Sequence, residues 1–177
     1  MTTTVIFSHG HLSSPQSSKI QALAPMAEKA GFKTLAIDYR DLKDDPVGRA
    51  ERLVKTIGEL PSAPVLVGSS MGGWVSMTAA EKLPASGLFL MAPALFLENT
   101  KYGGSVPDNY RPKCNHVSII HGWNDDIIPW QNSLKHASAS RAALHLVDSD
   151  HRLEGALADI KNIFSRFIQQ VIQQASA

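Results

Sequence analysis

Cysteine is almost absent: Cys114 stands alone among 177 residues. No intramolecular disulfide can form, and a reducing compartment is the setting this favours. Excess charge of one sign is missing too. Seventeen Lys and Arg against 16 Asp and Glu leave a formal net charge of +1. That gives no electrostatic reason for a nucleic acid or an anionic membrane as partner. No apolar run approaches the length that spans a bilayer. The start, Met1-Thr2-Thr3-Thr4-Val5-Ile6-Phe7, has neither a basic opening nor a long apolar segment, so no secretory leader is expected. The location expected is cytoplasmic, and nothing here bears on oligomeric state. Repeats, low-complexity tracts and charge blocks are lacking as well. The tail from Gln169 to Ala177 is expected to fray.

What is present is ordinary globular material, 44% apolar and 19% charged, in a length that suits one domain over residues 1–177. Short apolar runs read as buried strands: Val5 to Phe7, Leu35 to Ile37, Val65 to Val67, Leu88 to Met91, Ile119-Ile120 and Leu144 to Val147. They do not alternate polar with apolar, which suits a parallel sheet covered on both faces. Helical patterns separate them. Ile20, Leu23, Ala24, Ala27 and Ala30 share one face, ended by Gly31. Ala50, Leu53, Val54 and Ile57 share another, after Asp45-Pro46 as cap and first residue. Met71 to Lys82 is apolar nearly all round, Trp130 to Ser140 is a weaker pattern, and Leu157, Ile160, Phe164, Phe167 and Val171 form the last stripe. The alternation predicts an α/β domain with a mostly parallel sheet of about six strands and helices on both faces. One long irregular connection, about Ala92 to His116, interrupts it, a length that usually serves a function.

Ligands of open α/β sheets bind beyond the carboxyl ends of the strands. Four segments there carry useful chemistry: Ser8-His9-Gly10-His11, Gly68-Ser69-Ser70-Met71-Gly72, His121 to Asp126, and Asp148-Ser149-Asp150-His151. His116 falls before its strand, His136 in a helix and His145 inside a strand, so these three read as structural or surface histidines.

Gly68-x-Ser70-x-Gly72 fits a nucleophile elbow, a sharp turn from strand into helix that lifts a serine hydroxyl clear of the sheet. Side chains two residues either side would collide, hence the glycines. The short pattern gains weight from the strand before it and the helix after it. Ser69 lacks the spacing, and no phosphate-loop motif is present. A serine needs a base, and the base needs a third group to fix its tautomer. His151, after the last strand, is the candidate base. Asp125, Asp126, Asp148 and Asp150 are candidate acids, with the loop after the fifth strand favoured because an acid beside the base in sequence often points elsewhere. An oxyanion needs two backbone N–H donors. Met71 and His11 are the expected ones, with Gly10 letting the backbone approach. A metal site at His9-x-His11 lacks a third ligand of suitable spacing, so no metal and no cofactor are expected.

These residues resemble the α/β-hydrolase superfamily. The matching pieces are Phe7 to His11, Gly68 to Gly72, His121-Gly122-Trp123-Asn124-Asp125-Asp126-Ile127-Ile128-Pro129, and Asp150-His151-Arg152. The third is similar to the family run H-G-x-x-D-x-x-V-P, in which Asp125, not Asp126, matches the acid. The opening His9-Gly10-His11-Leu12-Ser13-Ser14-Pro15 resembles small capless bacterial esterases. The resemblance implies a minimal α/β-hydrolase fold without a cap domain, and an order of nucleophile, acid and base met by Ser70, Asp125 and His151. It implies a carboxylesterase-like serine hydrolase acting on a small-molecule ester, with a thioester or amide in place of the ester as the alternative. The other readings are a cofactor-free perhydrolase or lyase with the same triad, and a hydrolase fold kept as a binding or interaction module. Leu95 and Phe96 are the expected substrate-binding residues, with Leu97, Tyr102 and Tyr110, as walls of a shallow pocket. Packing of Leu95 and Phe96 into the core is the alternative.

Overall fold

The computed structural model describes residues 2–98 and 100–175. Within them the chain runs β1 (Thr4–Ser8), α1 (Ser18–Lys29), β2 (Lys33–Ile37), α2 (Pro46–Gly58), β3 (Val65–Ser69), α3 (Met71–Lys82), β4 (Gly87–Met91), β5 (Val117–Gly122), α4 (Trp130–Ser140), β6 (Ala143–Val147) and α5 (Leu157–Ala175). The six strands form one sheet in the order β2-β1-β3-β4-β5-β6, every neighbouring pair parallel. Capping chemistry sets the helix starts. Asp45 accepts from the Gly48 N–H ahead of α2, whose first residue is Pro46, and Ser17 accepts from the Ile20 N–H of α1.

Two cores explain why the inner strands are apolar without alternation. Ile6, Leu66, Leu88, Leu90 and Ile119 point to one side, against Leu53 of α2 and Val75 of α3. Val5, Phe7, Val65, Val67, Phe89, Met91 and Ile120 point to the other, against Leu23 of α1 and Phe164 and Phe167 of α5. Phe89 meets both of those rings, at 5.2 and 5.3 Å. The expectation of two covered faces does not extend to the outer strands. β2 and β6 are edge strands, with Leu35 39% exposed, because the helices do not reach past them. Among the described residues no helix is long and apolar enough to cross a membrane.

From β1 the chain goes outward to β2, then returns across β1 to β3. The side on which successive strands are added therefore switches between β1 and β3, and ligands of open parallel sheets bind at such a switch point, beyond the carboxyl ends. Ser70 and Gly10 flank it: a Cβ on Gly10 would lie 3.5 Å from the Ser70 Cβ.

Candidate active site

Ser70 joins β3 to α3 with φ 53° and ψ −121°, a conformation that costs a non-glycine residue energy and persists only where its surroundings hold it. Four hydrogen bonds do so. The Ser70 N–H donates to the Met91 carbonyl at 3.0 Å, and its own carbonyl accepts from Gly73, Trp74 and Ala94 at 2.9, 3.2 and 3.0 Å. The flanking glycines are obligatory. A Cβ on Gly68 would lie 2.2 Å from the Gly72 carbonyl oxygen, and one on Gly72 would lie 2.0 Å from that of Ser8.

The Ser70 Oγ lies 3.0 Å from His151 Nε2, and His151 Nδ1 lies 2.8 Å from Asp125 Oδ2. The carboxylate can only accept, so Nδ1 carries the proton and Nε2 is left to accept from the serine hydroxyl. Two loops meet to bring the ring there. The Trp123 N–H donates to the Val147 carbonyl and the Asn124 N–H to that of Ser149, continuing the β5–β6 pairing past the strands. Gly122 permits this approach, since a Cβ there would lie 2.2 Å from the Ser149 carbonyl oxygen.

Asp125 is fully buried in its side chain. Its Oδ2 also accepts from His121 Nε2 at 2.9 Å, and its Oδ1 accepts from the Ile127 and Ile128 N–H groups at 2.9 and 2.8 Å. Burial pushes its carboxyl up, but hydrogen bonds from His121, His151, Ile128 and Ile127 outweigh that and hold it well below the usual carboxylate range. The other aspartates serve turns. Asp126 is exposed, Asp148 accepts from the Asn124 side chain, and Asp150 accepts from the Arg152 and Leu153 N–H groups.

His121 is the residue whose part sequence reasoning missed. Its Nε2–H is shared between Asp125 and the Ile128 carbonyl, and Ser133 Oγ lies 2.7 Å from its Nδ1. A histidine four residues before the acid in the His121 to Pro129 run was the available signal.

Met71 opens α3 and His11 follows Gly10; among the described residues neither N–H has an acceptor. The His11 ring turns away, its Nε2 2.7 Å from Asp44. The His9 ring is spoken for as well: Nδ1 lies 2.8 Å from the Gly10 carbonyl and Nε2 accepts from the Tyr39 N–H at 3.0 Å. No cluster of three or more His, Cys, Asp or Glu that could hold a metal occurs among the described residues.

Leu95 and Phe96 take the second of their two expected placements, in the core. Leu95 is fully buried and Phe96 nearly so, both in the core beside α3. The Phe96 ring meets Tyr110 edge-on at 5.0 Å and carries Lys135 Nζ over its face at 4.1 Å. The connection folds down onto the core because these aromatics bury better there than in an open loop. Three of the apolar side chains left in water lie on the loops that carry the site residues: Leu12 at 79% exposure after β1, and Trp123 at 49% and Ile127 at 62% after β5.

Comparison with known proteins finds relatives of the chain and of its fold. A family model described as an uncharacterised protein family, UPF0227, matches residues 4–104. Mitochondrial palmitoyl-protein thioesterase ABHD10 of Mus musculus is 26% identical over 185 residues, covering 76% of this chain. The chain spans 62% of that relative's length. A solved protein of the alpha/beta hydrolase superfamily from Xanthomonas campestris pv. campestris superposes with a TM-score of 0.82 at 29% identity, over 95% of this chain and 99% of that one. Alpha/beta hydrolase domain-containing protein 10 from mouse gives 0.77 at 22% identity, over 99% and 91%.

Proposed function

The chain belongs to the UPF0227 protein family and has the α/β-hydrolase fold, and from that premise we propose that it is a carboxylesterase-like serine hydrolase, cleaving ester or thioester bonds of small acyl substrates through an acyl-enzyme. The observation that carries this reading is the continuous line from Ser70 Oγ through His151 to a buried, ionised Asp125, at 3.0 and 2.8 Å. Ser70 attacks the acyl carbon while His151 Nε2 takes its proton. The imidazolium so formed is stabilised by Asp125 and then protonates the leaving alcohol or thiol. Water, activated by the same histidine, attacks the acyl-serine and regenerates the hydroxyl. The Met71 N–H at the start of α3 and the His11 N–H are the donors for the tetrahedral oxyanion, and the α3 dipole adds to them.

The test is a panel of p-nitrophenyl esters and matched thioesters from acetate to palmitate, beside labelling with a fluorophosphonate. A packed-down connection leaves only a shallow acyl surface, which captures the first few methylenes at about 0.8 kcal/mol each. The rate constant kcat/KM is expected to rise from acetate to about butyrate and then fall. The exposed Leu12, Trp123 and Ile127 favour a second reading, a long-acyl thioester as the mouse relative's name describes. A steady rise through palmitate selects it. No turnover and no label on Ser70 would leave only a binding module.

A further inference from the structure

Arg49 of α2 is fully buried and forms no ion pair with a carboxylate among the described residues. The neighbouring Arg40 and Arg52 show the alternative, pairing with Asp38 and Asp41. A buried, unpaired guanidinium is costly unless its donors are satisfied. Here backbone carbonyls satisfy them. Nε donates to Leu42 at 2.8 Å, Nη1 to His9 and Gly10 at 3.3 Å each, and Nη2 to His11 at 3.4 Å and Lys43 at 3.1 Å. The Tyr39 ring lies beneath the cation, 5.3 Å from its centre.

Three consecutive carbonyls on one cation dictate where the amides of that loop point. In a trans peptide the C=O and the following N–H are antiparallel, and no cis bond occurs among the described residues. With the Gly10 carbonyl on Arg49, the His11 N–H points the opposite way. That same carbonyl lies 2.8 Å from His9 Nδ1, so the Gly10–His11 peptide is fixed by two donors, and Gly10 is the residue that packs beside Ser70. A cation on the carbonyl oxygen also polarises the peptide and makes its N–H a stronger donor.

We infer that Arg49 is the positioning residue of the oxyanion hole, holding the His11 N–H toward the oxygen that develops on the substrate at Ser70. The inference rests on the serine-hydrolase reading above. A purely structural role, tying α2 to the loop, would change stability and leave the chemistry of the folded enzyme alone.

The experiment is Arg49→Lys, which keeps the charge but cannot span five carbonyls, compared with wild type on p-nitrophenyl acetate and with phenylboronic acid, whose serine adduct is tetrahedral. In the folded variant kcat is expected to fall about 10- to 100-fold, less than the ~10²–10³ that outright loss of one oxyanion donor costs, because the donor is misplaced rather than removed. KM should stay within about twofold, the pH at which activity rises should not move, and the boronate should bind more weakly by the factor lost in kcat/KM. An unchanged kcat, a loss carried by KM, or undiminished boronate affinity overturns the inference. Should the variant not fold, wild type decides by NMR: the His11 amide proton is expected to move downfield in the boronate adduct, and an unmoved signal overturns the assignment. Failure of the underlying reading looks different, because Ser70→Ala would then hydrolyse esters like wild type and no fluorophosphonate mass would be added.

Discussion

The two flanks of Ser70 are built in opposite senses. On the β1 side a buried cation, Arg49, is surrounded by carbonyl oxygens. On the β5 side a buried anion, Asp125, is surrounded by N–H donors from Ile127, Ile128, His121 and His151. Neither charge pairs with the other. Each is solvated by its own loop, and so each fixes that loop's backbone while keeping its field. In the proposed reaction negative charge grows on the flank of the cation and positive charge on the flank of the anion, so the site is polarised before substrate arrives. A direct salt bridge between Arg49 and Asp125 would have cancelled that asymmetry.

The largest way to break this picture is to remove what lies between the flanks. Ser70→Ala is expected to lose about 10⁶ in kcat for ester hydrolysis with the fold retained, while Ser69→Ala keeps most activity. Equal losses in steady-state rates would undo the assignment of the elbow. Removing the charge of one flank comes next. Asp125→Asn should lose about 10⁴ in kcat, because an amide cannot stabilise the imidazolium and can favour the wrong tautomer. Asp126→Asn, at an exposed turn, should lose little, and the reverse ranking would shift the acid by one residue. Stability follows with its own sign. The Asp125 carboxyl is depressed in the folded state, so its ionised form stabilises wild type above the ordinary carboxylate value, near ~4. That contribution is lost as pH falls toward the folded value. Asp125→Asn lacks it throughout, and its Tm should fall less steeply on acidification.

The smallest effect contrasts the site with a histidine that has no charged partner. His136 is buried with Asn109 and Ser140 as neighbours, and burial pushes its pKa down to about 4. Between the ordinary histidine value near ~6.5 and about 4 the unfolded chain binds a proton that the folded chain refuses, so stability declines as pH falls through that window. His136→Gln should flatten the slope of Tm against pH there and leave kcat alone. An unaltered slope would remove His136 as its source.

Much of this was legible in the sequence for definite physical reasons. Strand and helix periods gave the element order, down to α3 at Met71–Lys82, because α3 and the central strands are buried on all sides and admit few residue types. Edge strands were overestimated, since Leu35 and Leu144 look as apolar as any core residue yet lie on or near the rim. The elbow was visible because only glycine fits at 68 and 72. The choice of Asp125 over Asp126, Asp148 and Asp150 came from resemblance. In the structure it is the backbone N–H groups of Ile127 and Ile128 that single it out, and backbone donors leave no mark in the residue string. Arg49 was invisible for the same reason, its partners being carbonyls from residues up to 40 positions away. Leu95 and Phe96 pack into the core, one of two placements that stayed open in the sequence, because a residue string does not tell a loop that arches from one that lies down.

His151 hangs from the loop after β6, and β6 has a neighbour on one side only. The proposed base therefore belongs to the part of the molecule that can detach alone. Opening of β6 from β5 would separate His151 from Asp125 and Ser70 while β1, β3 and the carbonyl cage around Arg49 stay closed. Such partial openings lie below the free energy of global unfolding. The amides of Trp123 and Asn124, which donate to Val147 and Ser149 across that seam, should exchange with solvent earlier than those of β3. On heating or in urea, turnover should cease while the circular dichroism of the sheet is still intact, which would make the proposed esterase activity a gauge of the β5–β6 edge rather than of the whole domain.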